Sequence, residues 1–302
     1  ALCVLAGVAL AREFKGPLAL ELYAPLAQEQ SAYRGSTLAQ LAAIAERWTL
    51  TQADAVLAVS TALREHAVVL GAAPQRVHVL PNGVDREVFR PGPPEPAVRE
   101  RWGLRKGPVL GFVGGLRPWH GVEMLPELLQ QMAVRHRDVQ LLVAGDGPLR
   151  RQLEAGFETR GVLARVVFTG AVAHEEVPAL IRQLDVALAP YPPLDHAFYF
   201  SPLKVFEYMA CGVPVVAADL GQIAEVVIDS QTGFRFPAGD VAAMAAACDR
   251  LLGDPSLRHT LGQAATQLVH SRYTWDQNAE RVADLARALI SARRFAAGKT
   301  AP

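Results

Sequence analysis

Lys204 and Glu207 stand three residues apart in the stretch SPLKVFEYMACGVPVVAAD, residues 201–219, among Leu203, Val205, Phe206, Tyr208 and Met209. One helical turn separates them, so both can face one region. Buried charge is costly unless it is paired. Two readings stay open on these residues alone. In one, the charges form an i,i+3 ion pair worth about 0.2–0.5 kcal/mol on a solvated surface. In the other, an ammonium and a carboxylate at the edge of a core face a polar ligand. The local pattern supplies the frame for either. Ser201 reads as a helix cap and Pro202 as the first helical residue. Cys211-Gly212 and Pro214 end the helix, and VPVVAA is a short buried strand.

A second set of residues follows the strand patterns of the C-terminal half: Gly114, Gly115 and Arg117; Gly145, Asp146 and Gly147; Gly170; Pro190 and Tyr191; Asp219. Ligands of doubly wound sheets bind outside the carboxyl ends of the strands. Glycine there either ends a strand tightly or lets backbone approach a phosphate or base. Its recurrence at three successive strand ends favours the second role. GFVGG is not GxGxxG, and no GxxxxGK[ST] loop occurs. The aromatic loop YPPLDHAFYF places His196, Phe198 and Tyr199 beside the start of the 203 helix, either to cover a ligand or to pack. His66, His136, His174, His259 and His270 have no partner spacing and read as surface residues. Asp146 reads as a turn former, Trp119 as a packing anchor and Glu225 as structural.

These residues need strands and helices to hold them. PLALELY, AVLAVS and RVHVL are strands of a first run, separated by the helices STLAQLAAIAERWTLTQA, capped by Ser36 or Thr37, and TALREHAVVLG. PNGVDREVFRPGPPEPA reads as a turn followed by a proline-rich linker. A second run alternates strand and helix from GPVLGFVGG to GFRF, and three helical stretches finish the chain. Alternation of this kind argues α/β architecture with parallel sheets, in two copies.

The 302 residues suffice for two domains; 51% are hydrophobic and 20% charged, as in globular α/β proteins. A formal net charge of zero argues against nucleic acid as a partner. Cys3, Cys211 and Cys248 are scattered, with neither disulfide nor metal spacing, which indicates a reducing cytoplasm. ALCVLAGVAL is too short to span a bilayer, where about 20 residues are needed. Opening inside an α/β unit, the sequence reads as a fragment of a longer protein.

The ordered set VLPNGVDREVFRP, GFVGGLRPWHGVEML, LLVAGDGPLR, VVFTGAV, SPLKVFEYMACGVPVVAAD and TGFRFPAGD resembles the retaining GT-B glycosyltransferases of family 4, or group 1, over about residues 17–290. The resemblance implies two Rossmann-like, doubly wound parallel-sheet domains facing a cleft, the first incomplete. It divides the chain into an acceptor-side domain at 1–90, a nucleotide-sugar domain at 91–275, and a helix at 276–302 returning to the first domain. By the same resemblance Glu207 binds the ribose hydroxyls, and Ser201, Pro202, Leu203 and Lys204 form the helix start that meets the diphosphate. Arg117 and His120 take the place of a diphosphate clamp near Gly114 and Gly115, and Gly170 and Ala171 contact the base. Arg117, His120, Lys204 and Glu207 form the implied catalytic set. The family's second glutamate falls on Tyr199, its clamp arginine on Gly115 and its lysine on His120. A first-domain histidine falls on Tyr23, on the acceptor side; Glu21, in the strand pattern just before it, reads either as an acceptor contact or as a plain surface glutamate.

The implied activity is transfer of a hexose-type sugar from a nucleotide diphosphate sugar, the co-substrate, to an acceptor with retention. No cofactor and no metal are implied. The acceptor stays open: glycan, lipid or small molecule. The tail SARRFAAGK reads as a frayed end, with peripheral contact at the inner face of the membrane as the alternative, in keeping with lipid-linked acceptors. Other readings are a nucleotide-sugar epimerase of the same fold and a truncated chain that binds nucleotide sugar without turnover.

Overall fold

A computed structural model describes residues 2–27 and 39–298. In chain order the elements are α1 (Leu2–Glu13), β1 (Ala19–Leu22), α2 (Ala39–Gln52), β2 (Ala55–Ala58), α3 (Thr61–Val69), β3 (Val77–Val79), α4 (Pro96–Arg101), β4 (Val109–Val113), α5 (Leu125–Arg135), β5 (Gln140–Ala144), α6 (Arg150–Thr159), β6 (Val166–Gly170), α7 (Val177–Ile181), β7 (Val186–Ala189), α8 (Leu203–Ala210), β8 (Val215–Ala218), α9 (Gly221–Val226), β9 (Gly233–Phe236), α10 (Val241–Gly253), α11 (Pro255–Arg272) and α12 (Trp275–Gly298). The cap expected at Ser36 or Thr37 lies outside the described residues.

The chain divides into two compact units. The first comprises residues 1–82, 197–201 and 275–302. Its sheet is parallel, in the order β1-β2-β3. β2 is buried along its whole length, as a parallel strand covered on both faces must be. Leu22, Leu50, Val56, Ala58, Leu63, Val77 and Tyr199 share its core. Ser60 caps α3 by accepting the Leu63 amide at 3.3 Å.

The second unit comprises residues 83–196 and 202–274. Its six parallel strands run in the order β6-β5-β4-β7-β8-β9. The chain winds outward from β4 to β6, then returns to β7 on the other side of β4. That reversal opens a crevice at the carboxyl ends of β4 and β7, the place where such sheets bind ligands. β4, β5, β7 and β8 are wholly buried, which explains their unbroken apolar runs.

The division falls at Asn82, ahead of the proline-rich stretch. That stretch packs into the second unit: Phe89 is buried, and Glu95 pairs with Arg182 at 2.8 Å. Proline suits a first helical turn, so α4 forms where the sequence reads as linker. The last helix groups with the first unit.

Candidate functional site

The crevice of the six-stranded sheet holds a buried cation. Lys204 lies on the first turn of α8 and is only 9% exposed. Among the described residues its Nζ has no hydrogen-bond partner. It sits 4.1 Å from the ring centre of Phe112, on β4, and 5.5 Å from that of Tyr191, just past β7. Aromatic faces attract a cation but give it no acceptor. Burial pulls the Lys204 pKa down to about 7, and Glu207 offsets this in part.

Tyr208 fixes the ammonium's position. One turn beyond Lys204, its hydroxyl accepts the Val113 amide at 2.7 Å and donates to the Val113 carbonyl at 3.3 Å. This ties α8 to the end of β4. Gly114 follows with φ +140°, and a Cβ there would stand 2.9 Å from Lys204 Nζ. Only glycine leaves the ammonium this close to the backbone.

Glu207 faces the same region from the next turn, half-buried. Burial raises its pKa, against the lowering influence first of His174 and then of Lys204. Among the described residues no ion pair joins Lys204 to Glu207, so the first of the two readings of these charges fails. The backbone directs the two side chains along α8 without bringing them into contact.

His120 is a neutral member of the cluster. Nδ1 donates to the Gly115 carbonyl at 2.6 Å, since a carbonyl can only accept. Burial above all, then the charges of Lys204 and, more weakly, Arg117, lower its pKa to about 4, against the raising influence of the Gly115 bond. The ring lies edge-on to Tyr191, with centres 5.7 Å apart. With its pKa held there, His120 carries no charge at neutral pH. Arg117 does carry charge; it is exposed, with its guanidinium 5.8 Å from the Trp119 ring. Gly170 ends β6 with φ +69°, and Ala171 beside it is exposed.

Other expected residues stand elsewhere. Ser201 does not cap α8. Pro202 holds the cap position without a side-chain bond, while Ser201 Oγ accepts the Asn82 amide at 2.9 Å. Leu203 opens the helix, 44% exposed. Tyr199 is not a ligand-facing replacement for a carboxylate: it packs in the core of the first unit, and its carbonyl accepts the Ser60 hydroxyl at 2.8 Å. Glu21 and Tyr23 belong to the first unit, where the Tyr23 hydroxyl donates to Glu21 Oε2 at 2.8 Å.

Phe112 and Tyr208 are residues that the motifs did not single out, and His174, read there as a surface residue, acts on Glu207. Tyr208 was accessible through its i,i+4 spacing from Lys204; the aromatic floor depends on strand order. His66 and His136 are not idle surface rings, for they meet Glu46 at 3.0 Å and Asp249 at 2.8 Å.

Residues 107–254 match the family described as Glycosyl transferases group 1, and residues 3–83 match the Glycosyl transferase 4-like domain. A GDP-mannose-dependent alpha-(1-6)-phosphatidylinositol monomannoside mannosyltransferase of Mycolicibacterium smegmatis is 33% identical over 291 residues, covering 92% of this chain and 75% of the relative. The chain belongs to the group 1 glycosyltransferases. A 2-deoxystreptamine glucosyltransferase of Streptomyces kanamyceticus is 33% identical over 70% of this chain and 54% of its own. A glycogen synthase of Mycobacterium tuberculosis is 28% identical over 92% of this chain and 64% of its own. The chain thus spans between about half and three quarters of these relatives. Anabaena HepE, solved with UDP, superposes with a TM-score of 0.78 at 21% identity, covering 94% of this chain and 76% of that one. Sucrose-phosphate synthase of Thermosynechococcus elongatus gives 0.73 at 26% identity, covering 91% and 68%. Both support the GT-B fold.

In this group 1 glycosyltransferase, the described arrangement suits an anion. A buried ammonium on the first turn of a helix meets the end of β4, with the exposed Arg117 on the loop that follows that strand. A carboxylate one turn away can accept hydroxyl bonds. Among the described residues no three His, Cys, Asp or Glu side chains gather to hold a metal ion. No described helix is long and apolar enough to cross a membrane.

Proposed function

We propose that this chain transfers a hexose-type sugar from a nucleotide diphosphate sugar to an acceptor hydroxyl, with retention of configuration. The observation that carries the reading is the buried Lys204 ammonium at the crevice, without a hydrogen-bond partner among the described residues. An uncompensated buried cation calls for an anion. The diphosphate supplies one, and in doing so raises the lysine's pKa and keeps it charged.

Glu207 receives the ribose hydroxyls, and the Gly170–Ala171 turn accommodates the base. As the sugar–phosphate bond breaks, negative charge collects on the departing diphosphate. Lys204, the first amides of α8 and Arg117 stabilise that charge. His120 orients through its fixed Nδ1–H and presents Nε2 as an acceptor. The acceptor hydroxyl attacks from the face the nucleotide leaves, and the departing phosphate takes its proton. One relative is named for GDP-mannose and one structural neighbour was solved with UDP, so the base is to be decided by experiment.

Thermal-shift measurements with UDP-, GDP- and ADP-sugars make that decision. Ligand at a hundred times its dissociation constant adds about 2.7 kcal/mol of stability. One nucleotide class is expected to raise the melting temperature of the wild type and to lose most of that effect in Glu207→Ala. A flat response to all three classes would refute the donor site.

A further inference from the structure

A cavity of about 460 Å³ lies wholly within the first unit, over the carboxyl ends of its sheet. Its size is that of ordinary small-molecule sites. Tyr23 follows β1, Val59 follows β2, and Leu80, Pro81 and Asn82 follow β3. Glu21 and Leu57 are register partners and share a face. The far wall is α12, through Ala279, Val282, Ala283 and Ala286. These recur at i, i+3, i+4 and i+7, one stripe of the helix. Three of the four are alanine, and their small size keeps the space open.

Three side-chain oxygens of the lining are open acceptors. Asn278 Nδ2 donates to the Pro81 carbonyl at 2.7 Å, and Asn82 Nδ2 donates to the Ser201 carbonyl at 2.8 Å. A carbonyl partner forces the NH₂ side of each amide toward it. Each Oδ1 is left as an acceptor with no bond from a described residue. Glu21 Oε1 is likewise open, since Tyr23 donates to Oε2. Trp275, 45% exposed, adds an aromatic wall. The lining includes one carboxylate and no lysine, arginine or histidine. Such a set takes up hydrogen-bond donors and positive charge, and it repels phosphate.

We propose that this cavity binds the acceptor, and that the acceptor is a hydroxylated ring amine rather than a phosphorylated one. The proposal rests on the glycosyltransferase reading for the word acceptor, but not for the site. The ring's C–H faces lie against Trp275 and the alanine stripe. The ammonium meets Glu21, and the remaining hydroxyls meet Asn82 and Asn278.

Calorimetry and saturation-transfer NMR with glucosamine, glucose and glucose 6-phosphate test it on the intact chain. At neutral pH glucosamine should bind at least tenfold more tightly than glucose, and glucose 6-phosphate most weakly. Glu21→Gln should erase the preference for the amine and leave glucose within threefold. Ala283→Leu should weaken both by filling the cavity, and melting curves check that each variant folds. Equal or tighter binding of glucose 6-phosphate would overturn the proposal. So would an absence of binding, or binding indifferent to both substitutions. A parallel titration with UDP, GDP and ADP separates the two claims. Nucleotide binding without amine binding sinks the cavity and spares the donor site; the reverse spares the cavity alone.

Discussion

Replacing Lys204 with methionine should make the ligand-free protein more stable. The stem keeps its length and the charge goes. Lowering the ammonium's pKa from 10.5 to about 7 corresponds to a burial cost of about 5 kcal/mol, at about 1.4 kcal/mol per tenfold change in proton affinity. The substitution also forfeits the attraction of Phe112 and Tyr191 for the cation, about 2 kcal/mol when desolvated. The net gain is about 3 kcal/mol at pH 7, or roughly 6–12 °C in melting temperature for a unit of this size. The pH dependence follows from the same shift. Above pH 7 the folded chain has released a proton that the unfolded chain still holds. Unfolding therefore takes up protons, and wild-type stability rises with pH from about 7 toward 10.5. Below pH 7 the cost is fully present. The methionine variant lacks that slope. With saturating nucleotide diphosphate the order reverses, because only the wild type gains the ion pair. Melting curves at pH 7 to 9.5, with and without nucleotide, measure all of this. A variant that melts below the wild type without ligand, with a parallel pH profile, would refute the reasoning.

Gly114→Ala should cost about 1–3 kcal/mol of stability, because an L side chain is strained at φ +140°. It should also weaken nucleotide binding at least tenfold, since its Cβ lies 2.9 Å from Lys204 Nζ; wild-type affinity would contradict this. Nitrogen NMR of His120 should report the neutral Nδ1–H form down to about pH 5, and a midpoint above pH 6 would show that its ring is not buried as described. Ser201→Ala should cost about 1–3 kcal/mol by stranding the Asn82 amide, with nucleotide affinity unchanged within twofold. A large loss of affinity instead would return Ser201 to the helix start.

The fold was legible where one rule governed a segment. Buried parallel strands call for largely apolar runs, and GPVLGFV, VQLLVA and DVALA announce them. Glycines at the strand ends placed the crevice. What the sequence obscured depended on distant partners. Three-residue spacing could not say whether Lys204 and Glu207 touch. Ser201 has every property of a cap, yet Asn82, far away in the sequence, claims its hydroxyl. Tyr199, which the resemblance sets against a carboxylate, is absorbed into the core of the first unit. The neutral state of His120 reflects burial and the nearby ammonium, neither of which a linear pattern reveals.

The first unit is assembled from three separated pieces of chain, the last of them α12. During synthesis its opening piece emerges early, yet must wait for the whole second unit before α12 arrives. At about 5–20 residues per second that wait is roughly 10–40 s. The second unit is complete by residue 274 and can fold while the first still lacks a wall. The order of folding therefore runs against the order of translation. A stop codon near position 275 would spare the six-stranded sheet and undo the unit whose strands come earlier in the chain.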